Sequence, residues 1–444
     1  MSQDNRARLK QWLESGESRI KPLSFPQREL WEASPVAPAD PLNNICAIIH
    51  LRGPLTPQGC EAAVQKVVDR QEALRISFLP GKDQPMQMVR KTGAPVLQFR
   101  DFSSTPEALE EIAAEIFARP FVLLQGPLYR AEVFRRSDNE HILVLAIHHA
   151  IADGWTLGVF VQDLFAAYLL GHRGGAGALP PVPLSYTDWG AAERAFWSPV
   201  ELEQRGAFWK SHLAGTRRLW EAQGSGPLQR EVSHIPAELG RAVKDLARRN
   251  GATLFSTLLT AFQVALSEWT DIDDILVGTP VANRTKQAVR ETMGYCSGVV
   301  PLRGIVDKDR TFASSLRSVH QATVESFANA MPFVEIVKAV DAPREPGRNP
   351  LFDVRFALQN HPVPDVSVAG LSLQLRMRST GTARFALACE INEIGDSMEV
   401  AWLFRDGFAP LNEIQDLGRL YLSTLAAACC SPTGTTSVLA SILR

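Results

Sequence analysis

The strongest constraint on the fold lies between residues 140 and 168. Residues 142–147 form a continuously apolar run, short enough and polar enough at its ends to read as a buried strand. His148-His149-Ala150-Ile151-Ala152-Asp153-Gly154-Trp155 follows, and then Leu157, Phe160, Val161, Leu164, Phe165 and Tyr168 recur at the 3–4 spacing of one helix face. The local order is strand, tight polar loop, helix. A loop anchored by burial on both sides can hold reactive side chains on a rigid frame.

The same alternation runs through the chain. Residues 58–75 have apolar positions at helical spacing, and residues 192–213 and 238–269 read as helices, the second carrying Leu254, Leu258, Leu259, Phe262 and Leu266 on one face. Residues 274–278, 298–302, 353–358, 371–377 and 398–404 are short, apolar and turn-bounded, and read as strands of a second sheet. The fold class is α/β (α+β). At 444 residues the chain exceeds one ordinary core. The Gly- and Pro-rich stretch 171–185 reads as a linker, which divides the chain into halves 1–175 and 176–444.

Charge excludes some partners. Lys plus Arg (46) against Asp plus Glu (48) leaves a net charge of −2 and no overall positive field for nucleic acid. Residues 1–10 lack the apolar core of a secretory signal, and 142–147, the most apolar run, is too short to span a bilayer, so a cytoplasmic protein without a membrane partner is expected. The six cysteines form no CxxC pair, and Cys429-Cys430 are adjacent; neither a disulfide framework nor a metal site is expected.

Alternation along a strand sends His148 and His149 to opposite faces, so the two imidazoles do not share a task. An imidazole titrating near ~6.5 can accept a proton at neutral pH, and His149 is the candidate to face a reaction centre. Asp153, four residues on, either orients that imidazole or pairs with an arginine. The second reading is preferred, because a short loop more easily points a carboxylate away from the strand end, and Gly154 permits a tight turn there. A bare His-His pair could simply cap a strand; Asp153, Gly154, Trp155 and the flanking strand and helix favour a site.

These residues resemble the His-His-x-x-x-Asp-Gly hallmark of the nonribosomal peptide synthetase condensation superfamily. Other motifs of that family follow in order across residues 22–430: Leu23-Ser24-Phe25-Pro26-Gln27-Arg28-Glu29-Leu30-Trp31, Arg70-Gln71-Glu72-Ala73-Leu74-Arg75-Ile76-Ser77-Phe78, Tyr186-Thr187-Asp188-Trp189, Thr279-Pro280-Val281-Ala282-Asn283-Arg284, the stretch from Met293 to Arg303, Met331-Pro332-Phe333 and Arg348-Asn349-Pro350-Leu351. Gln71 stands where the family usually has histidine. Cys296-Ser297-Gly298 departs from its usual Phe-Val-Asn-Thr.

The resemblance implies two chloramphenicol-acetyltransferase-like half-domains in a V-shaped pseudo-dimer, with the histidine motif in a central tunnel. It implies an acyltransferase in nonribosomal peptide or hybrid polyketide biosynthesis, moving the acyl group of a carrier-bound thioester to an amine or hydroxyl to form an amide or ester. Donor and acceptor carrier proteins deliver both substrates on phosphopantetheine arms, and the monomeric domain itself binds no cofactor. His149 is placed at the reaction centre, as base or positioner; Asp153 pairs with an arginine, for which Arg284 is chosen; His148 and Gly154 support the site. Tethering both reactants makes the encounter effectively intramolecular. Heterocyclisation domains would carry aspartates for the histidines, and the Glu-Gly-His-Gly-Arg-Glu-like motif of epimerisation domains is missing. A dehydrating or modifying domain acting on a carrier-bound residue, a free coenzyme-A-dependent acyltransferase and a non-catalytic recruiting scaffold are the alternatives. Arg241, Lys244, Arg248 and Arg249 form a basic helix face, read as solvated rather than as a docking surface, and 359–360 and 379–382 are candidates for lining the tunnel or latching the halves together.

Overall fold

The computed structural model describes residues 11–33, 43–80, 84–102, 109–172, 177–221, 228–345, 348–359, 366–368, 371–379 and 385–435. In chain order the elements are β1 (Ser18–Pro22), α1 (Phe25–Ala33), β2 (Asn44–Arg52), α2 (Pro57–Arg70), β3 (Ile76–Leu79), β4 (Met86–Arg90), β5 (Leu97–Asp101), α3 (Leu109–Ala118), β6 (Tyr129–Ser137), β7 (Glu140–His148) and α4 (Gly154–His172). They continue with α5 (Tyr186–Phe196), α6 (Pro199–His212), β8 (Leu228–Ile235), α7 (Ala237–Arg249), α8 (Leu254–Thr270), β9 (Asp274–Val281), β10 (Gly298–Ile305), α9 (Phe312–Ala328) and α10 (Phe333–Ala339). The last are β11 (Val354–Gln359), β12 (Val366–Val368), β13 (Leu371–Ser379), β14 (Leu387–Ile394), β15 (Ser397–Arg405) and α11 (Leu411–Cys430). The chain forms two compact units, one of Met1–Trp197, Ala282–Ser297 and His361–Thr382, the other of Ser198–Val281, Gly298–Asn360 and Ala383–Arg444.

The first unit holds a six-stranded sheet, β12-β13-β2-β7-β6-β5, and a three-stranded one, β1-β4-β3. Strand β7 lies between β2 and β6, so residues 142–147 have neighbours on both edges and are essentially without solvent exposure. Each such aliphatic side chain contributes roughly 1.5–3 kcal/mol of burial. Helices α2 and α4 pack on each other, and α3 lies against β2 and β7. Helix α4 carries the one stretch among the described residues, Gly154–Gly171, that is long and apolar enough to cross a membrane by length and composition. Its Leu157, Phe160 and Val161 are buried in the core of this unit.

The second unit is built on one sheet, β10-β9-β11-β14-β15-β8, in which β11 runs parallel to β9 and β14. Helices α7, α9 and α11 pack on α8, whose Phe262 stands among Phe356, Trp402 and Tyr421. The motif at Arg348 is a turn held by charge: Asp353, fully buried, accepts from Arg218 Nη1 and Arg348 Nη2, both at 2.9 Å, and from Leu219 N–H at 3.1 Å. The basic face of α7 is partly neutralised by Asp396 near Arg241, Glu393 near Lys244 and Asp245 near Arg248.

Four sequence expectations change. The helix over 58–75 stops at Arg70 and continues as a separate 3₁₀ turn, Glu72–Arg75. The helix over 192–213 is two helices, because Ser198 caps a new start and Pro199 lacks the N–H needed to continue the first. The helix over 238–269 is also two: Gly251 takes φ +64°, and the Thr253 side chain caps α8. Residues 371–377 do form a strand, but β13 pairs with β2 in the first unit, not with the second sheet. Local apolar pattern marks a strand without naming its partner. Of these tunnel or latch candidates, residues 360 and 380–382 lie outside the described residues.

Candidate active site

His148 ends β7, fully buried, and its Nδ1 accepts from Ala150 N–H at 3.1 Å, capping the 3₁₀ turn His149–Ile151. The edge of Phe121 meets its ring at 6.1 Å between centroids. His149 opens that turn and is the part-buried residue of the pair, although its ring Nδ1 is itself buried. Its ring packs at 4.3 Å and 63° against Tyr295.

Asp153 closes the loop and starts α4. Its Oδ1 accepts from Thr156 N–H at 2.9 Å, the helix-capping bond that short acceptors make. Arg284 Nη2 lies 3.1 and 3.2 Å from the two carboxylate oxygens, and Cys296 and Ser297 N–H both reach Oδ2 at 3.1 Å. Both side chains of the ion pair are almost completely buried. Burial by itself raises the Asp153 carboxyl, but the Arg284 charge and the N–H donors of Thr156 and Cys296 outweigh it and hold it below its ordinary value. Arg284 spends Nη1 on the carbonyls of Val289 and Thr292, at 2.9 and 2.6 Å, so its position is over-determined. Gly154 is the first residue of α4, and its φ is not positive.

Gln71, the residue that departs from the motif, is fully buried and joins three segments. Its Nε2 donates to Asp163 Oδ2 at 2.7 Å and to the Glu291 carbonyl at 2.9 Å, while its Oε1 accepts from Met293 N–H at 2.9 Å. An amide offers the donor and the acceptor that this position needs at once. The neighbouring Gly294 is required by packing: a Cβ there would lie 2.1 Å from the Tyr186 ring.

Glu193, on α5, is a residue the motif reading passed over. Its Oε1 accepts from Asn283 Nδ2 at 3.1 Å, and its Oε2 is buried without a hydrogen-bond partner. Burial pushes its carboxyl from an ordinary 4.5 up to about 7, against the opposing influence of Asn283, the Phe25 N–H and Arg194. The folded protein therefore keeps this proton where the unfolded chain has lost it, so the stabilisation is complete below pH 4.5 and disappears as the pH rises to about 7. Glu193→Gln is expected to flatten this part of the stability profile and to add up to about 2 kcal/mol at about pH 8, the figure reduced for partial exposure. Chemical denaturation of both proteins on either side of that range checks it; parallel profiles would show that the carboxyl does not titrate in the window.

Among the described residues no cluster of His, Cys, Asp or Glu could hold a metal ion. The chemistry on offer is that of one part-buried imidazole on a rigid loop.

Residues 17–441 match the family described as Condensation domain. Phosphinothricin tripeptide synthetase PhsB of Streptomyces viridochromogenes is 31% identical over 424 residues, 92% of this chain and 36% of that protein. Phosphinothricin tripeptide synthetase PhsC of the same organism is 30% identical over 389 residues, 84% of this chain and 36% of that protein. Bacitracin synthase 3 of Bacillus licheniformis is 26% identical over 419 residues, 92% of this chain and 6% of that protein. The chain thus spans a small part of the relatives it matches. Among solved structures, the X-domain from teicoplanin biosynthesis, seen in complex with OxyB, superposes with a TM-score of 0.85 at 22% identity, covering 95% of this chain and 96% of that one. The first condensation domain of the calcium-dependent antibiotic synthetase, with a substrate analogue, gives 0.80 at 19% identity, covering 94% and 98%. The fold is that of these proteins, and the chain belongs to the condensation-domain family of nonribosomal peptide synthetases.

Proposed function

We propose that this chain moves the acyl group of a carrier-bound thioester to an amine or hydroxyl acceptor in the assembly of a nonribosomal or hybrid peptide. The observation that carries the reading is the pair at the end of β7: His148 is buried and used up as a cap, whereas His149 is part-buried on a loop fixed by Asp153 and Arg284. In this reading the acceptor's lone pair attacks the thioester carbonyl, a C–N or C–O bond forms, the C–S bond breaks, and the proton lost by the acceptor leaves with the thiol. His149 holds or steers that proton. His148, Asp153, Gly154 and Arg284 support it. Tethering both reactants supplies much of the rate without further catalytic groups.

The same reading makes donor and acceptor carrier proteins the partners, with phosphopantetheine arms delivering both substrates. It treats the domain as a cytoplasmic monomer that binds no cofactor, nucleic acid or membrane itself. The two acetyltransferase-like halves, 1–175 and 176–444, also belong to the proposal; the division into two compact units supports a two-part chain, although residues 176–197, 282–297 and 361–382 are counted in the first unit.

Intact-mass spectrometry of paired, loaded carriers incubated with the protein tests the reaction class. Transfer of the donor mass to the acceptor is expected. Loss of water from a carrier-bound residue would replace the reading with dehydration. Efficient turnover of the matching coenzyme-A thioester would replace it with a free acyltransferase, and no change on any carrier pair with a scaffold.

A further inference from the structure

We infer that Tyr295 is a positioning residue for His149, and that the buried Asp153–Arg284 pair acts on the imidazole through it. The inference rests on the reading of His149 as the reacting group. Residues 293–297 form a short segment whose backbone is tied at nearly every step. Met293 N–H goes to Gln71 Oε1 at 2.9 Å and Gly294 N–H to Thr156 Oγ1 at 3.2 Å. The Gly294 carbonyl takes Arg284 Nη2 at 3.0 Å, and the Tyr295 carbonyl takes the Tyr186 hydroxyl at 3.0 Å. Cys296 and Ser297 N–H end on Asp153 Oδ2.

Within this segment the Tyr295 side chain is the one that packs against the reacting imidazole, ring to ring at 4.3 Å. The residue is 6% exposed, so its own place is settled by burial. Its geometry, an edge meeting a face, is one that aromatic pairs favour and that resists sliding. Asp153 thus holds the two N–H groups that follow Tyr295, and Tyr186 holds its carbonyl, and the ring on this fixed backbone limits where the imidazole can point. A supporting group that fixes a rotamer in this way is what separates a productive from a loose constellation.

The test uses Tyr295→Ala and Tyr295→Phe in the full chain. Carbethoxylation of His149 by diethyl pyrocarbonate, followed by peptide mass spectrometry, reports the freedom of the ring without any substrate. Single-turnover transfer between loaded carriers reports its use. Tyr295→Ala is expected to label several-fold faster at His149 and to lose about 10- to 100-fold in the single-turnover rate at saturating carrier, with the half-saturating carrier concentration nearly unchanged, while Tyr295→Phe stays close to wild type in both. Equal labelling of wild type and Tyr295→Ala overturns the inference, and so does faster labelling with an unchanged single-turnover rate. Where Tyr295→Ala does not fold, Tyr295→Leu, which keeps most of the buried volume, carries the same comparison. A wild type that transfers nothing defeats the functional reading, and the labelling result still decides the clamp.

Discussion

Arg284→Ala is expected to cost about 3–5 kcal/mol of stability, because it leaves the Asp153 carboxylate charged and buried without its counter-ion. The pair is almost completely buried, and the guanidinium also satisfies the carbonyls of Val289, Thr292 and Gly294. The loss therefore includes orphaned acceptors as well as an unpaired charge. Asp153→Ala should cost a similar amount, since it strands the arginine and removes the cap of α4. The double variant Asp153→Ala/Arg284→Ala should lose less than the two single losses added together, as removing both charges also removes their desolvation cost. Urea denaturation of the four proteins measures the coupling. Single variants within about 1 kcal/mol of wild type would show that the pair is not structural. The pH dependence has a fixed sign: the folded carboxyl lies below its ordinary 3.8, so its stabilisation is complete above that value and is lost as the pH falls further.

His149→Ala is expected to lower single-turnover transfer by about 10²–10⁴-fold, the range of a positioned general base. Stability should change little, because this imidazole is part-buried and the turn is capped by His148 instead. The two substitutions act oppositely: His149→Ala removes chemistry and keeps the fold, whereas Arg284→Ala damages the frame. If His149→Ala retains wild-type turnover on loaded carriers, proton handling by this residue is excluded and tethering alone accounts for the rate.

These residues differ in how far their roles are legible without a structure. The buried strand, the polar loop and the following helix are legible because each is a local pattern: apolar continuity over residues 142–147, then helical spacing from Leu157 onward. Strand–loop–helix order places His149 on the turn after the strand, and alternation separates it from His148. Helix breaks are less legible. Ser198-Pro199 and Gly251 stand in the sequence as stop signals, but the apolar spacing on either side continues through them.

Long-range partners are not legible at all. Asp153 and Arg284 are 131 positions apart, and the choice of Arg284 comes from family resemblance rather than from spacing. Strand β13 looks like any other short apolar strand, and only pairing with β2 assigns it to the first unit. Glu193 sits in an ordinary-looking helix; its raised carboxyl is a consequence of burial, which outweighs the lowering influence of Asn283 and the start of α1. Tyr295 lies inside a family motif, yet no sequence feature says that its ring meets His149.

The amino-acid order by itself determined the class of elements and the candidate loop, because periodicity and capping residues act over a few neighbouring positions, while the type of chemistry came from the resemblance its motifs carry. Tertiary structure alone decided which sheet receives residues 371–379, how far the Glu193 carboxyl is buried, and which side chain steadies the imidazole. Those outcomes depend on groups brought together from distant parts of the chain, where burial, rather than local conformational preference, sets the free energy.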